Sequence, residues 1–260
     1  MSGDDAELVR ERQGGLSLLR LNRPDARNSL TTGLVADLGT ALIEAESDPD
    51  IRAVVLTGTG DRAFCSGMDL RSFSEGDVPG ATPGESTDAF YRLLRGEISV
   101  PVVGAANGAA VAGGLELLLG CDVVIASREA RFGLPEVKRG LFAAGGGALI
   151  GNRIPLAIAL ELTLTGDLVD AHRAYEVGLV NAVVAPEEVW DTALAMADRI
   201  AANGPLGLAA SKELVRLSVS DPVAARERQA AWSEVVFASE DAMEGARAYM
   251  EKRDPVWRGR

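Results

Sequence analysis

Two glutamates stand where a carboxylate has a physical cost or a clear chemical use. Glu116 lies in the segment GAAVAGGLELLLG, in which every other residue is glycine, alanine, valine or leucine. Burying an ionised carboxylate without a partner costs several kcal/mol or more, so such a group must be paired, neutral or functional. Glu136 directly follows a Leu-Pro pair in RFGLPEVKRG. Two carboxylates that meet beside a substrate can move protons on and off a carbon atom or a water molecule.

A pair of glycines, Gly113 and Gly114, immediately precedes the helical pattern that carries Glu116. Glycine lets the backbone approach a ligand closely, and the free N–H groups at the start of a helix attract negative charge. Two such groups that converge on one oxygen atom form an oxyanion hole. The residues alone leave alternatives open: Glu116 can face solvent or a salt bridge, and paired glycines can mark a close-packing site or a turn.

The elements that must position these groups alternate between strands and helices. Two strands around a Gly-Gly turn are predicted for AELVRERQGGLSLLRLNRP, and short buried strands for IRAVVLTGTG, VPVVGAANG and CDVVIAS. Helical spacing occurs in TTGLVADLGTALIEAESDPD, in STDAFYRLLRGEIS and from Gly113 to Gly120. This alternation predicts an α/β fold with crossover connections.

The pattern changes near Pro186, after which four successive segments have helical periodicity. Residues 1–195 are therefore predicted to form an α/β core that carries the functional site. Residues 196–260 are predicted to form a helical subdomain, whose broad apolar faces suit a subunit interface.

Composition restricts the class of partner. The chain has 260 residues, of which 47% are hydrophobic and 25% are charged, as in ordinary globular proteins. Its net charge of −12 argues against nucleic acid and anionic membrane surfaces as partners. The apolar runs end before the roughly 18 residues that a spanning helix needs. The charged amino terminus is unlike a signal peptide. We therefore expect a cytoplasmic protein.

Patterns that bind metals or cofactors are not found. His172 is the single histidine and no CxxC motif occurs, which argues against a zinc site. Cys65 and Cys121 are interpreted as reduced thiols that fill the core. No Walker lysine follows the glycine-rich run, and the run does not fit a dinucleotide fingerprint. Ser66 lies in FCSGM, which lacks the Gly-x-Ser-x-Gly pattern of a serine hydrolase. No metal or redox cofactor is expected.

Several motifs together resemble the enoyl-CoA hydratase/isomerase, or crotonase, family. They are LNRPDARNSL, AFCSGMDL, PVVGAANGAAVAGGLELLLGCDVVIAS, RFGLPEVKRGL and LTGDLVDAHRAYEVGLVNAVV. The ending EKRDPVWRGR is similar to bacterial members that include carnitinyl-CoA dehydratases. The resemblance covers nearly the whole chain. It implies a crotonase-like spiral of repeated ββα units with a C-terminal helical subdomain, and a homotrimer or a dimer of trimers.

The resemblance also implies catalytic roles. The backbone N–H groups of Met68 and Gly113 would form the oxyanion hole for a thioester oxygen. Glu116 would act as the base on the attacking water, and Glu136 would exchange the proton at the α-carbon. A close and partly desolvated pair of carboxylates does not ionise fully, so one proton can be shared. No cofactor is implied, since CoA is part of the substrate.

Contacts with CoA follow from the same resemblance. The residues implied are Arg27, Ser66, Asp69, Leu70, Arg71 and Lys252. Backbone groups in the AFCSGMDL loop would hold the adenine, the two arginines would bind phosphates, and Lys252 would reach the CoA of a neighbouring subunit. Without the resemblance, the three basic residues are interpreted as solvated surface charges and Asp69 as a helix cap.

Two departures from the family pattern concern the acyl pocket and the water. Met68 stands where alanine is common, so a larger side chain lines the pocket. The loop LFAAGGGAL places Ala144 where a glycine backbone often helps to hold the water. The polar, turn-rich stretch from Arg71 to Thr87 is expected to be mobile until a ligand binds.

These features predict an enoyl-CoA hydratase, which reversibly adds water in a syn sense across the 2,3 double bond of an acyl-CoA thioester. A carnitinyl-CoA dehydratase-like lyase and a double-bond isomerase are alternatives within the family, and isomerisation needs only one shuttling base. A non-catalytic acyl-CoA-binding protein is the alternative from another class. The retained pair of glutamates favours an enzyme.

Overall fold

The computed structural model describes residues 6–76 and 80–260; residues 77–79, which belong to the stretch expected to be mobile, lie outside the described residues, as do the side chains of Leu70 and Phe73. The strands are β1 Leu8–Gln13, β2 Leu16–Leu21, β3 Ala53–Gly58, β4 Ala63–Cys65, β5 Val102–Ala106, β6 Ala109–Val111, β7 Val123–Ser127, β8 Arg131–Gly133, β9 Val169–Asp170 and β10 Ala182–Val184. The α-helices are α1 Thr32–Ser47, α2 Leu70–Ser74, α3 Glu85–Arg95, α4 Gly113–Gly120, α5 Leu156–Thr165, α6 Ala171–Glu176, α7 Val189–Ala201, α8 Pro205–Ser220, α9 Pro222–Phe237 and α10 Glu240–Glu251. Short 3-10 helices occupy Pro24–Ala26, Pro135–Arg139, Gly147–Asn152 and Pro186–Glu188.

The strands form two sheets that the chain visits in turn. Six strands have the order β1-β2-β3-β5-β7-β10, and four have the order β4-β6-β8-β9. Each of β3, β5 and β7 is followed by one strand of the smaller sheet and then by helix. In the larger sheet the neighbours from β2 to β10 are parallel, and β1 joins β2 antiparallel. This repeated ββα path confirms the predicted α/β spiral.

Helices cover both faces of the larger sheet. In β2, Leu16 and Leu18 point to one face and Leu19 and Leu21 to the other, as the two-residue period of a strand requires. The first face packs against α7, and the second packs against α1, α3 and α4. Strands that are buried on both faces read as continuous apolar runs, which explains IRAVVLTGTG and VPVVGAANG.

The carboxyl-terminal part of the chain is helical, as predicted. α7 crosses position 195 and packs on the larger sheet, whereas α8 and α9 pack against each other. The division of the chain at residues 195 and 196, and the oligomerisation role of residues 196–260, stay predictions. In the parts of the chain that the structure describes, no helix has both the length and the apolar composition needed to cross a membrane.

Candidate active site

The start of α4 lies directly against the loop that follows β4. A Cβ atom on Gly114 would lie 2.0 Å from the carbonyl oxygen of Cys65, so only glycine fits there. Gly67 has a φ of +90°, and a Cβ atom on it would lie 2.7 Å from Cβ of Ala112 and 3.0 Å from the amide nitrogen of Gly113. Both glycines are needed for close approach of the two backbones. The loop is thereby fixed beside the first amide of α4.

Two backbone N–H groups at this contact are free to meet a ligand. Leu30 pairs in parallel with Met68 and bonds to the residues on either side of it, so the N–H of Met68 points away from Leu30. The N–H of Gly113 belongs to the first turn of α4, where no intrahelical acceptor exists. Within residues 6–76 and 80–260, neither N–H donates a hydrogen bond to a protein atom.

Ala112 joins β6 to α4 in a backbone conformation that alanine rarely adopts. Its φ is 54° and its ψ is −128°. The N–H of Ala112 donates to the carbonyl of Gly133 at 2.9 Å, and the carbonyl of Ala112 accepts from the N–H groups of Leu115 and Glu116. These bonds hold a strained residue immediately before Gly113. Such strain persists only where surrounding contacts impose it, and it concentrates at functional sites.

Glu116 is buried, with 6% of its surface exposed, and three consecutive amides hold its carboxylate. Its Oε1 accepts N–H bonds from Gly145 at 2.9 Å, Gly146 at 2.9 Å and Gly147 at 2.8 Å. Successive N–H groups of this kind form a concave anion site, called here the amide nest. Burial raises the pKa of Glu116 above its ordinary value, and the three amides oppose that shift. The nest occupies Oε1 and leaves Oε2 for another partner.

Glu136 lies in the 3-10 helix Pro135–Arg139, directly after the Leu-Pro pair of the RFGLPEVKRG motif. Its Oε2 is enclosed and has no hydrogen-bond partner among the described residues. Burial raises the pKa of Glu136 and a hydrogen bond from its own backbone N–H opposes that shift; the charge of Glu116 raises the pKa further, and Arg139 lowers it. The net effect of these surroundings shifts the carboxyl group of Glu136 towards its neutral form.

Both glutamates face one cavity of about 420 Å³, called here the acyl cavity. Met68, Gly113 and Ser66 also line it. Its other walls are largely apolar and include Leu30, Val35, Phe90, Tyr91, Leu94, Leu141 and Phe142. The structure therefore brings the predicted glutamates and amide donors to one apolar chamber, although they come from separate segments of the sequence.

A second cavity of about 700 Å³, called here the basic cavity, adjoins the first. The two share Ser66, Val111, Pro135 and Arg139 as lining residues. The basic cavity is also lined by Arg27, Arg62 and Lys138. Lys138 pairs with Asp167, whereas Arg27, Arg62 and Arg139 form no ion pair within the described ranges. Unpaired cations that converge on one cavity of an acidic protein suit an anionic ligand.

Sequence reasoning found Arg27 and missed Arg62, Lys138 and Arg139. These residues flank the recognised motifs, since Arg62 lies just before AFCSGMDL and the other two follow Glu136. That adjacency was the available signal. Nothing in the sequence separates them from the rest of the chain's 26 lysines and arginines, because their convergence depends on how β4 and the 3-10 helix Pro135–Arg139 meet in space.

Three of the remaining predicted CoA contacts, Asp69, Arg71 and Lys252, are not among the described residues that line these cavities. Asp69 accepts a hydrogen bond from the N–H of Arg71 at 3.1 Å and pairs with Arg23 at 3.1 Å. Burial acts to raise the pKa of Asp69, but the hydrogen bonds to its carboxylate together outweigh burial and lower it. Arg71 is exposed on α2 and Lys252 is exposed just after α10, and neither lines the two cavities as described. Leu70 begins α2. The CoA roles of these residues stay predictions.

Comparisons with known proteins show the family to which the chain belongs. The family model described as enoyl-CoA hydratase/isomerase matches residues 11–260. A carnitinyl-CoA dehydratase of Proteus mirabilis is 37% identical over 254 residues, which cover 95% of this chain and 97% of that protein.

Solved structures of the same kind superpose over almost the whole chain. An enoyl-CoA hydratase from Mycobacterium tuberculosis has a TM-score of 0.88 and 39% identity, covering 98% of this chain and 99% of that one. An enoyl-CoA hydratase from Mycobacterium marinum has a TM-score of 0.90 at 39% identity, with the same coverage of 98% and 99%. The chain belongs to the enoyl-CoA hydratase/isomerase family, whose members act on acyl-CoA thioesters.

Proposed function

We propose that the protein is an enoyl-CoA hydratase that adds water in a syn sense across the 2,3 double bond of an acyl-CoA thioester. The observation that carries the proposal is the meeting of Glu116 and Glu136 in one cavity beside the free N–H groups of Met68 and Gly113. Hydration needs a base for water, an acid for the α-carbon and donors for the thioester oxygen. The acyl cavity offers all three.

The two amides would stabilise the enolate. The thioester carbonyl accepts the N–H groups of Met68 and Gly113, and both bonds strengthen as negative charge moves onto the oxygen. The amino-terminal end of α4 adds its favourable dipole. One well-placed donor of this kind is typically worth about 3 kcal/mol of barrier.

The two glutamates differ in a way that supports Glu116 as the base and Glu136 as the acid. Three amides favour the ionised form of Glu116, whereas Oε2 of Glu136 has no donor among the described residues. In the proposed step, Oε2 of Glu116 takes a proton from water as the water oxygen bonds to C3. The π electrons move through C2 to the thioester oxygen, and Glu136 then donates its proton to C2 as the carbonyl reforms. The reverse sequence is dehydration.

The basic cavity would take the phosphates of CoA. Its cations Arg27, Arg62 and Arg139 form no ion pair within the described ranges, and Ser66 lies where the two cavities join. Arg71, Asp69 and the other contacts implied by resemblance belong to the same proposal.

Assembly into a homotrimer or a dimer of trimers, and a cytoplasmic location, complete the proposed function. Exposed apolar side chains on the last helices support association with further copies, notably Phe237, Tyr249 and Met250, which are 79%, 86% and 75% exposed. In such an assembly Lys252, which follows α10, would be available to a neighbouring subunit.

A carnitinyl-CoA dehydratase-like activity is the second candidate. Curated relatives with that name are 37% identical, and elimination of water uses the same groups in reverse. The acyl cavity contains Phe90, Tyr91 and Phe142, whose aromatic rings can also receive a quaternary ammonium group. A double-bond isomerase would need only one of the glutamates.

Steady-state hydration assays on crotonyl-CoA and longer enoyl-CoAs test the proposal, with carnitinyl-CoA dehydration measured in parallel. We expect the highest kcat/KM on an uncharged enoyl-CoA. A higher kcat/KM on carnitinyl-CoA would favour the second candidate, and migration of the double bond without hydration would favour an isomerase. Tight binding of acyl-CoA without turnover would indicate a binding protein.

A further inference from the structure

The carboxyl end of α4 is held by a half-buried arginine, Arg153, that nothing in the proposed chemistry uses. Nη1 of Arg153 donates to the carbonyls of Leu118 at 3.3 Å, Leu119 at 3.3 Å and Cys121 at 2.9 Å. Burial lowers the pKa of Arg153, which means that holding a cation at this position costs free energy. Its acceptors are the helix-end carbonyls, which carry the negative end of the helix dipole.

Arg153 also adjoins the short helix that carries one of the three amides of the nest. It follows the 3-10 helix Gly147–Asn152 directly, and its own N–H donates to the carbonyl of Ile150 at 3.0 Å. The other end of this short helix carries the N–H of Gly147 that bonds Glu116. α4 and the 3-10 helix are thus joined at two places: through Glu116 and the nest, and through Arg153 and the end of α4.

We propose that Arg153 is a positioning residue that fixes the amide nest against the carboxylate of Glu116. The inference rests on the proposed role of Glu116 as the base. Arg153 is not among the described residues that line the acyl cavity. It therefore acts through α4 and the 3-10 helix, which it joins, and touches no substrate. Glu116 lies two and three residues before Leu118 and Leu119, the bonded residues inside α4, which is about 3 to 5 Å along the helix axis. A shift at one join is therefore transmitted to the other.

A neighbouring arginine allows the positioning role to be separated from simple capping of the helix. Arg216 of α8 donates to the carbonyl of Cys121 at 3.2 Å and to Gly120 at 2.9 Å, and it pairs with Asp122 at 2.8 Å. It bonds the same end of α4 as Arg153, yet among the described residues no hydrogen bond or ion pair joins it to the 3-10 helix Gly147–Asn152. If the helix end needed only cations, either arginine would serve equally.

Loss of the Arg153 side chain is expected to raise the pKa of Glu116. A cavity of about 660 Å³ lies beside this cluster, so water can reach the freed carbonyls and the 3-10 helix can move. Amides that donate to a carboxylate lower its pKa, so a displaced nest raises the pKa of Glu116. The charged groups that face Glu116 across the acyl cavity are Glu136 and, beyond it, Arg139. Neither is altered by changes at Arg153.

The experiment compares Arg153→Met, Arg153→Lys and the matched control Arg216→Met. We expect Arg153→Met to lower kcat at neutral pH by roughly 10-fold or more with KM within about twofold, because misplaced catalytic groups chiefly affect the transition state. The acid limb of its pH–kcat profile moves to higher pH, because Glu116 must be ionised to act. Arg153→Lys restores part of kcat, and Arg216→Met lowers stability without moving the limb.

A second readout does not depend on turnover. The carboxyl carbon of Glu116 is titrated by ¹³C NMR in the substrate-free protein, and we expect a higher pKa in Arg153→Met than in the wild type and in Arg216→Met. An unchanged titration in Arg153→Met, or an equal shift in Arg216→Met, would overturn the inference. If Arg153→Met does not fold, Arg153→Lys decides by the same criterion. A wild type that titrates as expected but hydrates no enoyl-CoA would refute the proposed function alone.

Discussion

The two ends of α4 differ in whether the protein supplies hydrogen-bond partners for their backbone groups. At the carboxyl end, the carbonyls of the last residues accept bonds from Arg153 and Arg216. At the amino end, the N–H of Gly113 has no acceptor in the described protein, and the nearby Met68 N–H is in the same state. Folded proteins satisfy nearly all buried polar groups. The free amides at the amino end are therefore consistent with the proposal that a thioester oxygen accepts both N–H groups.

Backbone strain follows the same division. Ala112, with its φ of 54°, stands before the amino end, while Cys121 leaves the carboxyl end in an extended conformation with a φ of −68°. Strain, unpaired amides and carboxylates with raised pKa values are concentrated at one end of a single short helix. The contrast supports a division in which the amino end of α4 carries the proposed chemistry and the carboxyl end holds the helix in place, and it can be tested by changing one end at a time.

The largest expected effect comes from removing either proton carrier. Glu116→Gln and Glu136→Gln are each expected to lower kcat for hydration by at least about 100-fold, because positioned proton transfer typically contributes 10²–10⁴. Folded stability is expected to be retained, since both changes remove a carboxylate that burial disfavours. Steady-state kinetics and thermal unfolding measure the two quantities.

The matched change at the other end is Asp122→Asn. Asp122 pairs with Lys212 at 2.7 Å and Arg216 at 2.8 Å, so this variant is expected to lose roughly 3 kcal/mol of unfolding free energy, as for a broken buried ion pair. Its kcat is expected to stay within about threefold of wild type. Near-normal hydration by either glutamine variant, or loss of catalysis in Asp122→Asn without misfolding, would break the comparison.

The next effect concerns the geometry of the amide donors. Gly67→Ala adds a methyl group 2.7 Å from Cβ of Ala112 at a φ of +90°, and it is expected to push the Met68 amide out of place. We expect kcat to fall roughly 10- to 100-fold, in line with the loss of one oxyanion donor. Gly14→Ala is the control, because Gly14 also has a positive φ of 56° but no atom within 4 Å of its added Cβ. Equal kcat values for the two variants would refute the donor geometry.

A smaller effect is expected from an unpaired cation of the basic cavity. Arg62→Gln should raise KM for an enoyl-CoA about 5-fold and leave kcat nearly unchanged, because an exposed charge contributes modestly to uniform binding. The increase should shrink at high salt. Arg226→Gln, which changes an exposed arginine of α9, is the control. If KM responded equally to both changes, net charge rather than the basic cavity would control CoA binding.

The smallest effect is expected at Met68. Its backbone supplies the proposed donor, whereas its side chain, which is 37% exposed, lines the acyl cavity. Met68→Ala should therefore keep kcat on crotonyl-CoA within about threefold and shift the preference towards bulkier acyl groups. A substrate panel measures this shift. A loss of kcat as large as that expected for Gly67→Ala would mean that the side chain, rather than the amide, carries the effect.

The sequence predicted the parts of this protein that depend on local pattern. The apolar runs of β3, β5 and β7 and the periodicity of α1 identify the larger sheet and its helices. The smaller sheet was not resolved as such, because strands of three residues, such as β4, β6 and β8, are too short for a periodic signal. The spiral was predicted from the order of the family motifs, because short-range patterns alone do not indicate it.

The site was predictable only where a motif contained the functional group. Glu116, Glu136, Gly113 and Met68 lie inside such motifs, and they line one cavity. The amide nest was missed because its effect depends on where a loop 29 residues further along the chain folds back onto Glu116. Arg153 was missed for a similar reason: its side chain acts on carbonyls 32 to 35 residues earlier in the chain. Contacts of this range have no local signature.

The most direct test is a crystal structure with a bound acyl-CoA that resembles the substrate or its enolate. The account predicts that the thioester oxygen lies about 2.7–3.1 Å from both amide nitrogens, those of Met68 and Gly113, as an oxyanion hole requires. Glu116 and Glu136 should then lie beside C3 and C2 on one face of the acyl chain. A thioester oxygen that contacts neither amide, or glutamates on opposite faces of the acyl chain, would contradict the proposed mechanism.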